Sequence, residues 1–470
     1  MLTLELTIKN GPVLYYVLDS SHSGRNPAID FSLPPKAMQT SEASFGLPLD
    51  TDLLAFWREN KTVSGWVTVT EELETGAFHT WWKGPISGTS VSFDLLRLTI
   101  TSSSAQLARK SQTSRLPRLR INELLEDLNP ETPDRQEPLP EIYGTVYGLP
   151  VLLASDPNYT ENLVFVIAGH PITSETVTPI LDGNYLGSYA VQTATGPKGE
   201  YSFVQVPKSI LGNQQSGLYL EQVTGKRFTI PDLLQHLANQ YLPGEHKQEW
   251  RDLITSGYAA QFLKSFSLGM FLNQELTGDV LTAIGQRLTQ SFPMQVGFPA
   301  GKFSWCYTGV TMAPAVTDCQ TLIYGQDLWR RGDLTGTTFD QVRNNFVYTA
   351  GFDGGTGREK LQRVLNRTNS AFCRVSAGIW GETAEEAISF PDCTDAGTAH
   401  LVAEEFAALG AKCPYTTSYV TDNQALLQAP IGKFFALQDA DWFSGNRLMR
   451  LDSVAYGSSG TYELGVTIFQ

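Results

Sequence analysis

Four apolar residues in strict alternation, Leu2, Leu4, Leu6 and Ile8, open the chain, and a period of two commits this segment to a half-buried strand. The alternation returns around Val67 and Val69 in Trp66 to Thr70, and Val91 to Ile100 supplies another candidate strand through Phe93, Leu95 and Leu98. Met1 to about Arg120 therefore reads as one small sandwich or barrel. Between these runs, Phe78-His-Thr-Trp-Trp82 is expected at a strand end, with Gly84 and Gly88 permitting the turns that follow. The adjacent Trp81 and Trp82 suit aromatic packing in an edge or an interface, and stacking on a carbohydrate is the alternative.

Beyond the last of these strands the charge changes abruptly. Arg97, Arg109, Lys110, Arg115, Arg118 and Arg120 follow one another with no acidic residue between them. Then Glu123, Glu126, Asp127, Glu131, Asp134 and Glu137, in a proline-bearing linker over 121–140, and Glu141 just beyond it face only Arg135. A basic arm beside an acidic segment can order against an adjacent subunit, giving register and encounter rate more than affinity; a solvated loop is the plainer reading. The formal net charge of -14 argues against sequence-independent nucleic-acid binding, which requires many neutralised phosphates. An acidic lumen would instead let a polyanion pass without sticking.

At 470 residues the chain is too long for one core, and roughly 150 residues per domain suggests three or four. With 41% hydrophobic and 17% charged residues it reads as globular and β-rich rather than disordered. Residues 141–225 form a second small β unit, with strands expected at Val146 to Leu153, Leu163 to Ile167 and Tyr185 to Val191. Over 226–310 the period lengthens. Pro231 suits a first helical position ahead of Leu233, Leu234, Leu237 and Tyr241, a second helix is expected near Glu249 to Phe266, and Val280, Leu281, Ile284, Leu288 and Phe292 define a third. A strand-like stretch from Met294 to Trp305 closes this module. Residues 311–470 read as a mixed domain with a helix at Ala399 to Leu409, capped by Asp395 or Thr398, and final strands at Phe434 to Leu437 and Glu463 to Phe469.

Enzyme signatures are missing. There is no His-Glu-x-x-His, no Gly-x-Ser-x-Gly elbow and no zinc-deaminase pattern among six histidines. His170, between Gly169 and Pro171, reads as a turn or packing residue. Phe352-Asp-Gly-Gly-Thr-Gly357 superficially resembles a phosphate cradle but lacks the Lys-Ser/Thr ending, and is expected to be a loop before a helix through Leu361, Val364 and Leu365. Cys306, Cys319, Cys373, Cys393 and Cys413 are too widely spaced for a zinc site and are expected as free thiols. Arg331-Gly332-Asp333 reads as an ordinary turn. The neighbouring carboxylates Glu71-Glu72, Glu404-Glu405 and Asp439 with Asp441 leave a glycoside hydrolase as the enzymatic alternative, because that chemistry needs two carboxyls opposed across a cleft. No cofactor or metal is expected. The opening strand pattern, no run of transmembrane length and no basic bias on the helices' polar faces point to synthesis in a cytoplasm without stable membrane insertion.

The order of these segments resembles that of phage tail-tip and baseplate hub proteins. Phe78-His-Thr-Trp-Trp-Lys-Gly-Pro-Ile86 with Leu95 to Leu116 is similar to their first tube-like domain, and Pro138-Leu-Pro-Glu-Ile-Tyr-Gly144 with Asp182-Gly183 to their second β region. Ile230-Pro-Asp-Leu-Leu234 through Leu281 and Gly301-Lys-Phe303 is similar to their helical module, and Ala399 to Leu409 with Ile431-Gly432 to a last tube-like portion. The resemblance implies a multidomain α+β, β-rich fold in which tube-like barrel or sandwich domains carry an inserted α/β helical module. It implies a non-enzymatic homotrimer in the virion, at the tail tip or baseplate, presenting a roughly six-fold surface to a distal tail or tail tube protein. Its further partners would be the tape measure protein, other tip or fibre proteins, and DNA in transient passage through the lumen. The expected assembly contacts are Trp81, Trp82, Arg109, Lys110, Arg115, Arg118 and Arg120. A carbohydrate-binding baseplate accessory is the nearest alternative.

Overall fold

The computed structural model describes residues 2–18, 30–32, 36–37, 42–48, 51–60, 63–92, 95–100, 138–154, 161–196, 199–211, 217–226, 228–241, 263–272, 280–297, 299, 304–457 and 460–470. It has a multidomain α+β fold dominated by strands. Leu2–Ile8 is a strand with Leu2, Leu4, Leu6 and Ile8 buried and the residues between them half-exposed, as its alternation requires. Asn10 turns it back onto Val13–Val17 with a φ of 60°, a left-handed conformation that asparagine tolerates better than most residues. The sheet continues in the order Val13–Val17, Leu2–Ile8, Gly65–Glu72, Phe78–Ser92, Leu95–Ile100, Ala43–Pro48, Asp30–Ser32. The long strand Phe78–Ser92 pairs with Gly65–Glu72 along its first half and with Leu95–Ile100 along its second. The single strand expected from Val91 to Ile100 is thus the end of one strand and the whole of the next; Phe93 lies outside the described residues.

A second sheet, near the C-terminus, runs in the order Thr321–Ile323, Phe434–Gln438, Arg447–Tyr456, Tyr462–Phe469, Tyr415–Thr421, Trp329–Arg331. Placed beside the first, it repeats a unit. In both, a strand (Ala43–Pro48; Tyr415–Thr421) is followed by a helical turn (the helix Thr51–Asn60; the 3-10 turn Gln424–Gln428) and three antiparallel strands, the last of which pairs back onto the first. One apolar core joins the two sheets, with Leu4, Val69, Trp81, Trp82 and Leu98 of the first against Tyr419, Met449, Leu464, Val466 and Ile468 of the second. Lys36–Ala37, from the N-terminal segment, pairs with Ser453 and Val454 of the C-terminal sheet.

The remaining described strands build an eight-stranded sheet, a four-stranded sheet and two two-stranded ones. Glu141–Pro150 pairs with Tyr219–Thr224 and with Gly269–Leu272, and through Tyr147 and Asp353 with the strand Phe346–Asp353, which also pairs with Arg358–Leu365 and Glu386–Phe390. Strand pairing therefore runs across the divisions drawn at 225 and 310. Gly148 makes this junction possible: it has a φ of 58°, and a Cβ there would lie 1.8 Å from Asp353 Oδ1. The helices Ile230–Tyr241, Val280–Ser291, Ala371–Trp380 and Ala396–Lys412 close the adjoining core through Leu233, Leu237, Ile284, Leu288, Val402 and Ala403. Pro231, expected at the first helical position, is the second residue of the first of these helices, and the Thr229 hydroxyl just ahead of it accepts from the Asp232 N–H. Asp395 caps the last by accepting from the Thr398 N–H at 2.7 Å. Most of the helix expected near Glu249 to Phe266 lies outside the described residues.

Several expectations are overturned. Gly84 and Gly88 open no turns but lie within the strand Phe78–Ser92, and Tyr185 to Val191 is not one strand but parts of two, Asn184–Tyr185 and Tyr189–Ala190. Arg358–Leu365 is a strand, not a helix: Leu361, Val364 and Leu365 have helical spacing, but only Leu365 is buried, and the segment forms a hairpin with Phe346–Asp353. The stretch from Met294 to Trp305 is a hairpin of Met294–Gly297 with Ser304–Tyr307 rather than one strand.

Candidate assembly interface

Trp81 and Trp82 are consecutive and both buried, at 1% and 0% exposure. Successive residues of a regular strand face opposite ways, so this pair needs a local defect. The register supplies it: Val69 pairs with Trp82 and Thr70 with Thr80, leaving Trp81 as the extra residue of a β-bulge. The Trp81 ring stacks on Tyr462 at 5.8 Å between centroids and meets Tyr456 edge-on at 5.5 Å. Its Nε1 donates to Glu71 Oε2 at 2.9 Å, and the Tyr462 hydroxyl donates to Glu71 Oε1 at 3.0 Å. One buried carboxylate therefore ties the N-terminal sheet to the last strand of the C-terminal one. Burial pushes the Tyr462 hydroxyl above its ordinary value, and the Glu71 carboxylate that it donates to adds to this. Beside this seam, the Glu74 N–H donates to Gln424 Oε1 at 2.9 Å.

The aromatic pair thus serves an interface inside the chain. Neither ring offers a face to another subunit or to a sugar, since a stacking platform must be open to solvent. Arg109, Lys110, Arg115, Arg118 and Arg120 lie outside the described residues. The signal for Glu71 is legible in the sequence: Val67, Val69 and Glu71 share one period-two face, so the carboxylate occupies the next inward position.

The remaining carboxylates are likewise engaged in structure. Asp439, 1% exposed, holds Arg331 at 2.7 Å and accepts from the Tyr419 hydroxyl at 3.0 Å, while Asp441 takes the other end of the guanidinium at 2.7 Å. Arg331 lies between the Tyr324 and Trp442 rings, 4.3 Å from each centroid, so the arginine of the tripeptide is anchored, while Asp333 is exposed. Glu405 is buried and accepts from the Tyr307 and Thr311 hydroxyls and from the N–H groups of Val310 and Thr311. Glu404 accepts from Ser370 Oγ at 2.7 Å. A carboxylate saturated by donors is ill suited to proton transfer.

The cradle-like loop is filled by its own side chain: Asp353 Oδ1 accepts from the N–H groups of Gly355 and Thr356 at 3.0 and 3.2 Å, where an external anion would otherwise sit. His170 is 5% exposed; its Nε2 accepts from the Ile142 N–H at 3.0 Å, which leaves Nδ1–H to donate to the Pro171 carbonyl at 2.8 Å. Burial, followed by the nearby Lys226, lowers this imidazole to about 4, so it is neutral at pH 7. All five cysteines are free thiols, and among the described residues no cluster of three His, Cys, Asp or Glu could hold a metal.

No protein-family model matches this chain, and no curated protein does. Among solved structures, a chain of the virion of a native gene transfer agent particle is 13% identical with a TM-score of 0.43, over 71% of this chain and 85% of that one. Prophage tail protein gp18 from Listeria monocytogenes is 10% identical with a TM-score of 0.28, over 70% and 87%. A 43 kDa tail protein of prophage MuSo2 from Shewanella oneidensis is 9% identical with a TM-score of 0.29, over 71% and 94%.

Proposed function

We propose that this chain is a structural tail-tip or baseplate subunit of a phage-type particle, acting as the hub that continues the tail tube. The observation that carries this reading is the repeated unit. A chain that holds the same four-strand unit twice, about one shared core, needs only three copies to offer six equivalent sheets. That stoichiometry suits a homotrimer seated on a six-fold tube protein. The partners are then the distal tail or tail tube protein on one side, other tip or fibre proteins on the other, and the tape measure protein and DNA in transit through the lumen. Saturated buried carboxylates and a neutral buried histidine support a role without catalysis. The net charge of -14 supports a channel that passes DNA without retaining it.

The arm residues Arg109, Lys110, Arg115, Arg118 and Arg120 have the charge to set register against an acidic neighbour. Imaging of the intact particle at side-chain resolution tests the proposal. Three coaxial copies with both sheets at one radius are expected, whereas peripheral or monomeric placement overturns it.

A further inference from the structure

The end of the helix Ala396–Lys412 and the start of the strand Arg447–Tyr456 bring two cations to one cleft of about 330 Å³. Its walls are mostly apolar, with Val310, Pro314, Phe372, Leu448 and Phe469 among them, and no Asp or Glu lines it. The Gln470 N–H donates to the Lys412 carbonyl at 3.0 Å, which fixes the end of the last strand against the end of the helix. Neither Lys412 nor Arg447 forms an ion pair among the described residues, although the chain carries an excess of 14 negative charges. Arg447 Nε is buried without an acceptor among the same residues, a costly state for a charged donor. Phe372 also begins an apolar stripe on the helix Ala371–Trp380: Val375 and Ile379, three and seven residues on, share its face and are 52% and 55% exposed.

We infer that this cleft seats a short peptide of a partner protein in which an apolar side chain precedes carboxylates. The apolar residue enters against Phe372, Leu448 and Phe469, and the carboxylates pair with Lys412 and with the Arg447 guanidinium where it lines the cleft. Guanidinium and carboxylate match in bidentate geometry, and the water-excluding wall strengthens the pair. The apolar wall distinguishes the cleft from a nucleic-acid groove, where cations would track a backbone of phosphates. This inference stands independently of the tail reading.

The test uses the full chain and an array of fluorescein-labelled dodecapeptides. Each carries one aromatic or aliphatic residue followed by Asp and Glu, and each has a counterpart with Asn and Gln in their place. Acidic peptides are expected to bind at least about tenfold tighter than their amide counterparts, the share of one or two charge-assisted hydrogen bonds. The preference should vanish in the double variant Lys412→Met, Arg447→Met, which keeps the aliphatic stems, with circular dichroism unchanged. Should that variant lose its fold, Lys412→Met alone, at a half-exposed helix end, is expected to lower the preference severalfold. The proposal is overturned if no acidic peptide binds, or if the preference survives in the folded variants. It is equally overturned if inorganic phosphate displaces the peptides and those lacking the apolar residue bind as well, which would leave a bare anion site.

Discussion

The two sheets share a strand order but bury different amounts of themselves. In the N-terminal sheet, one face packs into the common core and the other stays half-exposed: Thr3, Glu5 and Thr7 alternate with buried leucines, and Tyr15 on the edge strand is 68% exposed. In the C-terminal sheet both faces are covered where the helical layer meets it. Phe435, Leu437 and Met449 enter the shared core, while Phe434, Leu448 and Phe469 enter the core of the helices. The connections account for this. Just ahead of the first strand of the N-terminal unit the chain passes from Asp30–Ser32 to Ala43–Pro48, contributing, among the described residues, Lys36–Ala37 to the other sheet. At the same point the C-terminal unit, between Thr335–Gly336 and Tyr415–Thr421, carries a hairpin and two helices that return to cover it. The helices Ile230–Tyr241 and Val280–Ser291, which precede the C-terminal unit, join the same cover, so one unit can be an open sheet or an inner layer according to what packs on its outward face.

Matched truncations on the outward faces probe this contrast most strongly. Phe434→Ala should cost about 3–5 kcal/mol in urea unfolding, the range for deleting a buried aromatic ring. A loss below about 1 kcal/mol would mean that the helical layer does not cover the C-terminal sheet. Trp81→Ala should cost a similar amount, about 3–5 kcal/mol, and because the core is shared both sheets should lose hydrogen-exchange protection together. Protection lost from the N-terminal strands alone would break the picture of one core.

Acidification should separate the two-sheet core from the middle β unit. The unfolded imidazole of His170 has an ordinary value of 6.5, whereas the folded ring is lowered to about 4. Between those values the unfolded chain binds the extra proton, so stability is full above pH 6.5 and falls as the pH drops toward 4. At about 1.4 kcal/mol per pH unit this amounts to about 3 kcal/mol. Amides near Ile142 and Ser202, which contact His170, should lose protection before those of Leu4 or Val466. Uniform loss across the chain would remove the distinction.

The same asymmetry explains what the residues disclosed. Period two makes the one-faced sheet readable: Leu2 to Ile8 and Trp66 to Thr70 lie in strands with the expected faces inward. The two-faced sheet yields only short apolar runs such as Phe434–Gln438, which locate a strand but not its neighbours. The repeated unit was hidden for that reason, since it lives in pairing order and not in similar residues. Phe78-His-Thr-Trp-Trp82 was recognised as an aromatic feature, but the bulge that turns both rings inward is a matter of register with Val69 and Thr70. Helical spacing misled at Leu361, Val364 and Leu365, where a long-range partner decided the conformation.

Glu71→Gln comes next in size. The substitution keeps the volume but exchanges one accepting oxygen for a donor, so either Trp81 Nε1 or the Tyr462 hydroxyl loses its acceptor, at a cost of about 1–3 kcal/mol. Glu71→Gln in a Tyr462→Phe background should cost less, because the amide can then turn its oxygen to Trp81. Additive costs would show that the carboxylate does not couple the sheets.

Tyr15→Ala should have the smallest effect, within about 0.5 kcal/mol, as expected of a surface residue away from caps and buried networks. Its value lies in the pairing with Phe434→Ala. The two residues sit on outward faces of corresponding sheets, Tyr15 exposed and Phe434 beneath the helical layer. The edge strand Val13–Val17 exposes Val13 and Val17 beside Tyr15, an apolar row that a monomer rarely leaves open along a sheet edge. If Tyr15→Ala is neutral in the dilute chain but weakens association measured by sedimentation, the open face of the N-terminal sheet is completed by a neighbour, as the C-terminal sheet is completed from within. Neutrality in both measurements would leave the two units different in kind, one layered and one bare.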